Sequence, residues 1–282
     1  RRVLFRSHGP FMPDMPDLSS TAIARLRRAA RVWAVASAHG EAGRLARLHE
    51  ALAVRLEPDD RIVYLGNLLG HGPDPKGTLD EAIRFRRAVI ARPGGFVGDV
   101  VFLRGRQEEM WQKLLTLQLA PNPVEVLKWM FEHGAAATVM AYGGNAEEGL
   151  AAARSGAVAI ARWTGHLREV FHAQPGHDPL LASLKRAAVN ATDTVLFVSA
   201  GVDAAKPLTA QNDSFWWGGT PFDSIVAPFN GFKRVVRGFD RTRSGLDIGA
   251  VTTSLDGGAG FGGTLIACAF DNDGNVLEAI EA

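Results

Sequence analysis

Three short segments carry the side chains best suited to touch a ligand: Ser37-Ala38-His39-Gly40, Gly66-Asn67-Leu68-Leu69-Gly70-His71-Gly72 and Arg104-Gly105-Arg106-Gln107-Glu108. They offer imidazoles, a hydroxyl, amides and arginine, a set rich in hydrogen-bond donors that favours negative charge. An anion held by Arg106, His39 and neighbouring backbone N–H groups is the chemistry such loops support. Nucleophilic chemistry is not expected. Ser37, and Ser199 further along, lack the G-x-S-x-G elbow that presents an attacking hydroxyl, so capping or turn hydrogen bonds are their expected role. His71, His133, His166, His172 and His177 show no H-x-x-x-H pairing of the kind that builds a metal centre elsewhere.

For the three loops to meet, the elements before them must lie side by side. Residues 31–36, 60–66 and 100–103 are short apolar runs that read as buried strands. Between them, Leu45, Leu48, Leu52 and Leu56 form a helical stripe within 41–56, and 79–91 reads as a second helix with arginines on its wet face. This β-α-β-α-β rhythm predicts parallel strands with right-handed crossovers, which places every loop at the strand C-terminal edge where ligands bind. Residues 108–190 read as mostly helical, over 109–119, 123–133, 147–155 and 159–171, with breaks at Pro121-Asn122-Pro123, Gly143-Gly144-Asn145 and Pro175-Gly176. Strands return at 193–199, 234–237, 246–250, 264–270 and 276–280, the last two joined by a hairpin at Asp271-Asn272-Asp273-Gly274. The glycine run 257–263 lacks the Lys-Ser/Thr ending and following helix of a phosphate cradle, and is expected to be a flexible hairpin or loop.

With 282 residues, 46% of them hydrophobic, the chain can bury a large core, and residues 31–282 are expected to form one α/β domain. A formal net charge of +1 gives no basic field for nucleic acid or an anionic membrane. The single cysteine, Cys268, excludes an internal disulfide and a cysteine-based zinc site and suits a reducing, cytoplasmic setting. No apolar stretch nears the ~20 residues of a membrane span. Residues 1–7, R-R-V-L-F-R-S, read as a translated sequencing-adapter tail of the kind found in metagenomic assemblies, with Met12 or Met15 as the true start. Residues 1–30 are expected to be a flexible lead-in, because Pro13 and Pro16 disfavour helix.

The order, spacing and context of the loops resemble the calcineurin-like metallophosphoesterases, most closely the bacterial protein-phosphatase-like and diadenosine-tetraphosphatase-like branch. That family shows D-x-H-G, then G-D-x-x-D-R-G, then R-G-N-H-E at these places. Phe197-Val198-Ser199-Ala200-Gly201 resembles its V-H-A-G strand end, and Trp129, Gly134, Thr138, Tyr142 and Gly143 fit its helical segment. The resemblance implies a four-layer α/β/β/α sandwich with a helical insertion, about 108–190, over the ligand edge.

It also implies a loss. In the family two divalent metals, manganese, iron or zinc, activate a water that attacks phosphorus. The corresponding positions here hold Ser37, Asn67, Arg106, Gln107, Ser199 and Phe239; His39 alone is retained, while Gly70 and His71 replace an Asp and an Arg. One imidazole with hydroxyls and neutral amides is too poor a donor set to hold such dications against water. The resemblance therefore implies a catalytically inactive, cofactor-free phosphatase-like protein, with His39 and Arg106 placed for an anion and a phosphate-containing small molecule or a protein as partner. Were a metal site of altered composition retained, the same resemblance would imply hydrolysis of phosphoproteins or dinucleoside polyphosphates. Glu108, with no metal-bound imidazole to orient, is expected to be structural, and Asp247 to serve packing or turn chemistry. Trp216-Trp217 is expected to pack; exposure of Trp163, Trp216 and Trp217 would instead point to a docking face.

Overall fold

The computed structural model describes residues 22–282. The adapter tail at residues 1–7 and the starts at Met12 and Met15 lie outside the described residues. The lead-in does not stay irregular to residue 30. Ile23–Arg25 form β1, parallel to β5 (Ala187–Val189), and Leu26 and Ala29 are buried behind it. The β5 strand also corrects the helical reading of 108–190, whose last residues belong to a sheet.

The parallel unit follows from fully apolar strands alternating with one-sided helices. Strand β2 (Val32–Val35) pairs in parallel with β3 (Arg61–Tyr64), and β3 with β4 (Val100–Phe102). Helix α1 (Ala42–Ala53) buries Leu45, Leu48, His49 and Leu52. Helix α2 (Pro75–Ile90) starts a turn earlier than the leucine pattern shows, because Asp74 accepts the Gly77 N–H at 2.7 Å and Pro75 fits the first helical turn. Strands β10 (Ile266–Phe270) and β11 (Val276–Glu281) extend this sheet antiparallel, in the order β11-β10-β2-β3-β4. Their hairpin turns at Gly274, whose φ of +86° suits glycine.

The second sheet runs β1-β5-β6-β7-β9-β8, with β6 (Val195–Val198), β7 (Arg234–Arg237), β8 (Asp247–Ile248) and β9 (Thr252–Ser254). One face of it, through Ala188, Val195, Phe197 and Val236, joins the first sheet in a common core, where the Phe197 and Phe270 rings lie 6.0 Å apart. The other face, through Leu196 and Val198, packs on Phe215, Trp216, Phe222, Phe229 and Phe232. Asp247 sits exposed on the edge strand.

From the β4 edge the chain enters helices α3 (Arg106–Leu114), α4 (Pro123–Met130), α5 (Ala136–Ala141), α6 (Ala146–Ser155), α7 (Ala157–His172) and α8 (His177–Ala182). Consecutive carboxylates on α2 tie it to both neighbours. Glu81 meets His49 Nδ1 at 2.5 Å, and His49 Nε2 lies 2.7 Å from the Tyr64 hydroxyl. Asp80 meets His177 Nε2 at 2.9 Å, and His177 Nδ1 lies 2.8 Å from the Tyr142 hydroxyl.

The two sheets are also joined through Asn190. Its Oδ1 accepts the N–H groups of Thr194 and Val195, both at 2.9 Å, while its Nδ2 donates to the Asn272 carbonyl at 3.1 Å. Asn190→Ala strands these buried groups and is expected to cost about 1–3 kcal/mol, read as a lower urea midpoint with unchanged slope. A midpoint equal to wild type would show that water replaces the amide.

Candidate functional site

The C-terminal ends of β2, β3, β4, β6 and β7 open onto one edge. The loop after β2 carries Ser37 and His39, that after β3 carries Asn67, Gly70 and His71, and α3 begins at Arg106 and Gln107. Hydrogen bonds lock these loops together. The Asn67 Nδ2 donates to Ser37 Oγ at 3.1 Å, and Asn67 Oδ1 accepts the Gln107 N–H at 3.1 Å. The His39 N–H donates to the Asn67 carbonyl at 2.7 Å. From the second sheet, the Ser199 carbonyl accepts the N–H groups of Gly238 and Phe239, and the Ser37 N–H donates to the Gly238 carbonyl. Ser199 Oγ faces Gly66, where a Cβ would come within 2.9 Å of it. Thus Ser37, His39, Asn67, Gly70, His71, Arg106, Gln107, Ser199 and Phe239 all converge on one largely buried cluster at this edge. His39 and Asn67 hold φ near +50°, a backbone strain of about 1 kcal/mol or more for a non-glycine residue, of the kind that clusters at ligand sites.

Glu108 is the joint of this construction. Its buried carboxylate accepts the N–H groups of Asn67 at 2.9 Å, Gly105 at 2.8 Å and Leu69 at 3.1 Å. The helical roof reaches the cleft twice: Gln107 Nε2 donates to the His133 carbonyl at 2.8 Å, and Thr138 Oγ accepts the Gly70 N–H at 3.2 Å. Gly134 lies in a wide turn between α4 and α5, where a Cβ would meet the His71 ring at 2.6 Å.

At the centre, rings replace ligands. His39 is fully buried, with the rings of His71, Phe239 and Phe261 at 5.2, 5.8 and 5.7 Å. Arg106 lies 4.7 Å over Phe239 and 5.5 Å from the ring of Trp217 in the short helix α9 (Ser214–Trp217). Arg243 stacks 3.4 Å over Phe261. Burial first, then the charges of His71, Arg106 and Arg243, holds the His39 pKa well below the ordinary imidazole range; the Leu69 backbone opposes this, though neither ring nitrogen makes a hydrogen bond of ordinary geometry. His71 is drawn down to about 4, by burial first and then by Arg106 and Arg243. Burial, with Arg241 second, lowers Arg106 to about 10, so it stays charged at neutral pH. Ser199 Oγ, Arg106 Nε and Gln107 Oε1 are likewise buried without partners.

Phe261 and Arg243 escape a reading of the loops by themselves. Phe261 lies within the glycine run 257–263, and Arg243 lies in Arg241-Thr242-Arg243 just past Phe239; the glycine density was the available signal. The glycine run is not the free loop expected: Ala259–Phe261 form a 3-10 turn seated on His39. Of the remaining histidines, His133 lies 2.7 Å from the Trp129 carbonyl and His172 2.6 Å from Asp178. Trp216 is buried under Arg104, while Trp163 and Trp217 are half-buried, so the exposure that would mark a docking face is missing.

Two facing mixed sheets, a helical roof and loops meeting at one strand edge define a layered α/β sandwich. No protein-family model matches the chain, and no curated protein matches it. Solved structures do. A crystal structure of a candidate diadenosine tetraphosphatase aligns with TM-score 0.55 and 18% identity, over 93% of this chain and 98% of that one. A serine/threonine phosphatase from Saccharomyces cerevisiae, with similarity to human phosphatase PP5, aligns with TM-score 0.50 and 12% identity, over 93% and 84%. A cold-active protein tyrosine phosphatase aligns with TM-score 0.50 and 12% identity, over 92% and 82%. The chain shares the fold of these solved phosphatases.

The two-metal centre of that fold does not fit these residues. The Asn67 amide is engaged at both ends, the Glu108 carboxylate is consumed by backbone donors, and Arg106 stacked on Phe239 puts a cation and a phenyl ring where the loops meet. Among the described residues no group of three or more His, Cys, Asp or Glu side chains is disposed to hold a metal ion.

Proposed function

We propose that this protein is a catalytically inactive phosphatase-like module that binds a phosphate-containing anion in the cleft of a metallophosphoesterase fold. The observation that carries the reading is a convergence of buried polar atoms without partners around the Arg106 guanidinium. The His39 ring nitrogens, Ser199 Oγ and Arg106 Nε are buried without a hydrogen bond of ordinary geometry, and the permanent charges acting on His39, those of Arg106 and Arg243, are both cationic. A water at neutral pH needs a Lewis acid to become a nucleophile, and this donor set supplies none. A phosphate oxyanion, by contrast, accepts from a guanidinium, a hydroxyl and an imidazole N–H at once. The partner is thus a small phosphate ester or a phosphorylated protein, met in the cytosol, where the buried thiol of Cys268 stays reduced. No helix among the described residues is long and apolar enough to cross a membrane.

Protein dialysed against manganese, iron or zinc is expected to retain no stoichiometric metal and to leave an aryl phosphate intact. Titration with inorganic phosphate, nucleotides and phosphopeptides is expected to give heat with at least one, and Arg106→Ala to weaken that binding roughly 10–100-fold, the worth of a charge-assisted contact. Two bound metals with turnover would make the protein an active phosphoesterase with an altered site, acting on phosphoproteins or dinucleoside polyphosphates. Absence of heat and of thermal stabilisation with every ligand would leave the cleft without the proposed role.

A further inference from the structure

Residues 257–263 hold five glycines in seven positions, yet the segment is anchored at its base. Asp256, buried, accepts the Gly258 N–H at 2.9 Å and the Asp240 N–H at 2.8 Å, and the Gly257 carbonyl accepts the Thr264 N–H at 3.0 Å. Between the anchors a single 3-10 turn is flanked by Gly258 and Gly262, with φ of +77° and +87°. The turn lies directly on the cleft, since a Cβ at Gly260 would come within 2.4 Å of the His39 Cβ. Phe261 projects from it onto the His71 ring at 4.4 Å and keeps 41% of its surface exposed.

Beneath this strap lies His39, whose ring nitrogens are unpartnered, and Phe239 links its ring to the unpartnered Nε of Arg106. Above it, Arg243 is stacked on Phe261 rather than paired with a carboxylate. A floor of unpartnered polar atoms, covered by a half-exposed phenyl ring on glycine hinges, is the arrangement of a removable cover rather than of a finished core. We infer that the strap gates the anion site: Phe261 occupies the ground the ligand takes, and ligand entry lifts Phe261 while freeing Arg243 to join Arg106 on the anion. The inference rests on the anion-binding reading above and adds a second guanidinium and a closed resting state to it. Lifting the strap breaks one exposed cation–π contact and ring edges, all weak tethers, while each buried donor gains an acceptor. A closed resting state lowers the apparent affinity by the fraction of molecules that are open.

Calorimetry of the full chain with inorganic phosphate tests this. Phe261→Ala, which keeps the anion donors and removes the cover, is expected to bind phosphate roughly 3–10-fold more tightly than wild type. Gly260→Ala, whose methyl props the turn away from His39, is expected to shift affinity the same way. In the Phe261→Ala background, Arg243→Ala is expected to weaken binding about tenfold, because there the arginine has only the ligand to serve. Thermal unfolding of each variant establishes that it is folded; if Gly260→Ala does not fold, the Phe261 and Arg243 variants decide. Phosphate binding that depends on Arg106 but is unchanged or weaker in Phe261→Ala, or indifferent to Arg243, overturns the gate and leaves the anion site standing. Failure of phosphate, nucleotides and phosphopeptides alike to bind any variant, the uncovered one included, sinks both.

Discussion

Replacing Glu108 by alanine is expected to remove on the order of 3–5 kcal/mol of stability, a large part of the 5–15 kcal/mol that holds most domains folded. The carboxylate stands where three loops meet, and its two oxygens take the N–H groups of Asn67, Gly105 and Leu69. None of those donors has water at hand, because Asn67, Gly105 and Leu69 are themselves buried. Each stranded donor costs about 1–3 kcal/mol, and the sum is reduced by whatever the loops recover on relaxing. Relaxation is hindered by packing: a Cβ at Gly105 would already sit 2.3 Å from the Asn67 nitrogen, so the backbones touch with nothing between them. Glu108→Gln keeps the shape but turns an amide donor towards a backbone donor, and is expected to fall between wild type and alanine. The urea midpoint and the exchange rates of the Asn67, Leu69 and Gly105 amides are the readouts. An alanine variant within about 1 kcal/mol of wild type, with those amides still protected, would mean that other acceptors take over.

Much of this architecture was legible because local signals and tertiary demand agree. Strands β2, β3 and β4 are buried runs, and the glycines that end them are required by close approach between loops, since a Cβ on Gly66 would come within 2.7 Å of the Gly105 nitrogen. The pattern failed where strands are short and chemically plain. Ile23–Arg25, Ala187–Val189 and Thr252–Ser254 are three residues long, with no period to detect, and exist because a sheet edge or neighbour offers them hydrogen bonds. The cleft divides the same way. Ser37, His39, Asn67 and Arg106 stand in loops whose order along the chain announces them. Phe261 and Arg243 reach His39 only because the second sheet packs on the first and brings distant loops over it. The buried chain from Tyr64 through His49 to Glu81 was likewise silent, since nothing local marks His49 as more than one position on a helix face.

Acidification is expected to destabilise the protein well before its carboxylates titrate. His39, His71 and His49 are all held below the ordinary imidazole value, in each case by burial first. The unfolded chain therefore binds more protons than the folded one from about pH 6.5, where free histidine titrates, down to the lowered folded values, about 4 for His71. Stability is full above that window and is lost as pH falls through it, with each such histidine adding up to about 1.4 kcal/mol per pH unit. With His71 discounted for its partial solvation, a progressive loss of stability as pH falls from 6.5 to 4.5 is expected. Glu81, lowered to about 2 with His49 and Arg84 as partners despite the opposing effect of burial, acts in a later window. Its contribution is intact above the usual carboxylate range and disappears as pH drops towards 2. Asp256 works the other way: burial raises its pKa, so protonation below neutral pH favours the fold and softens the last part of the decline. The separation of windows makes the assignment testable by chemical unfolding at half-unit pH steps. His39→Asn removes one titrating group from the cleft and is expected to flatten the slope between pH 6.5 and 4.5 while leaving the fall below pH 4 in place. A variant slope identical to wild type would mean that His39 accepts its proton in the folded state without cost, which only an acceptor reaching its ring could provide.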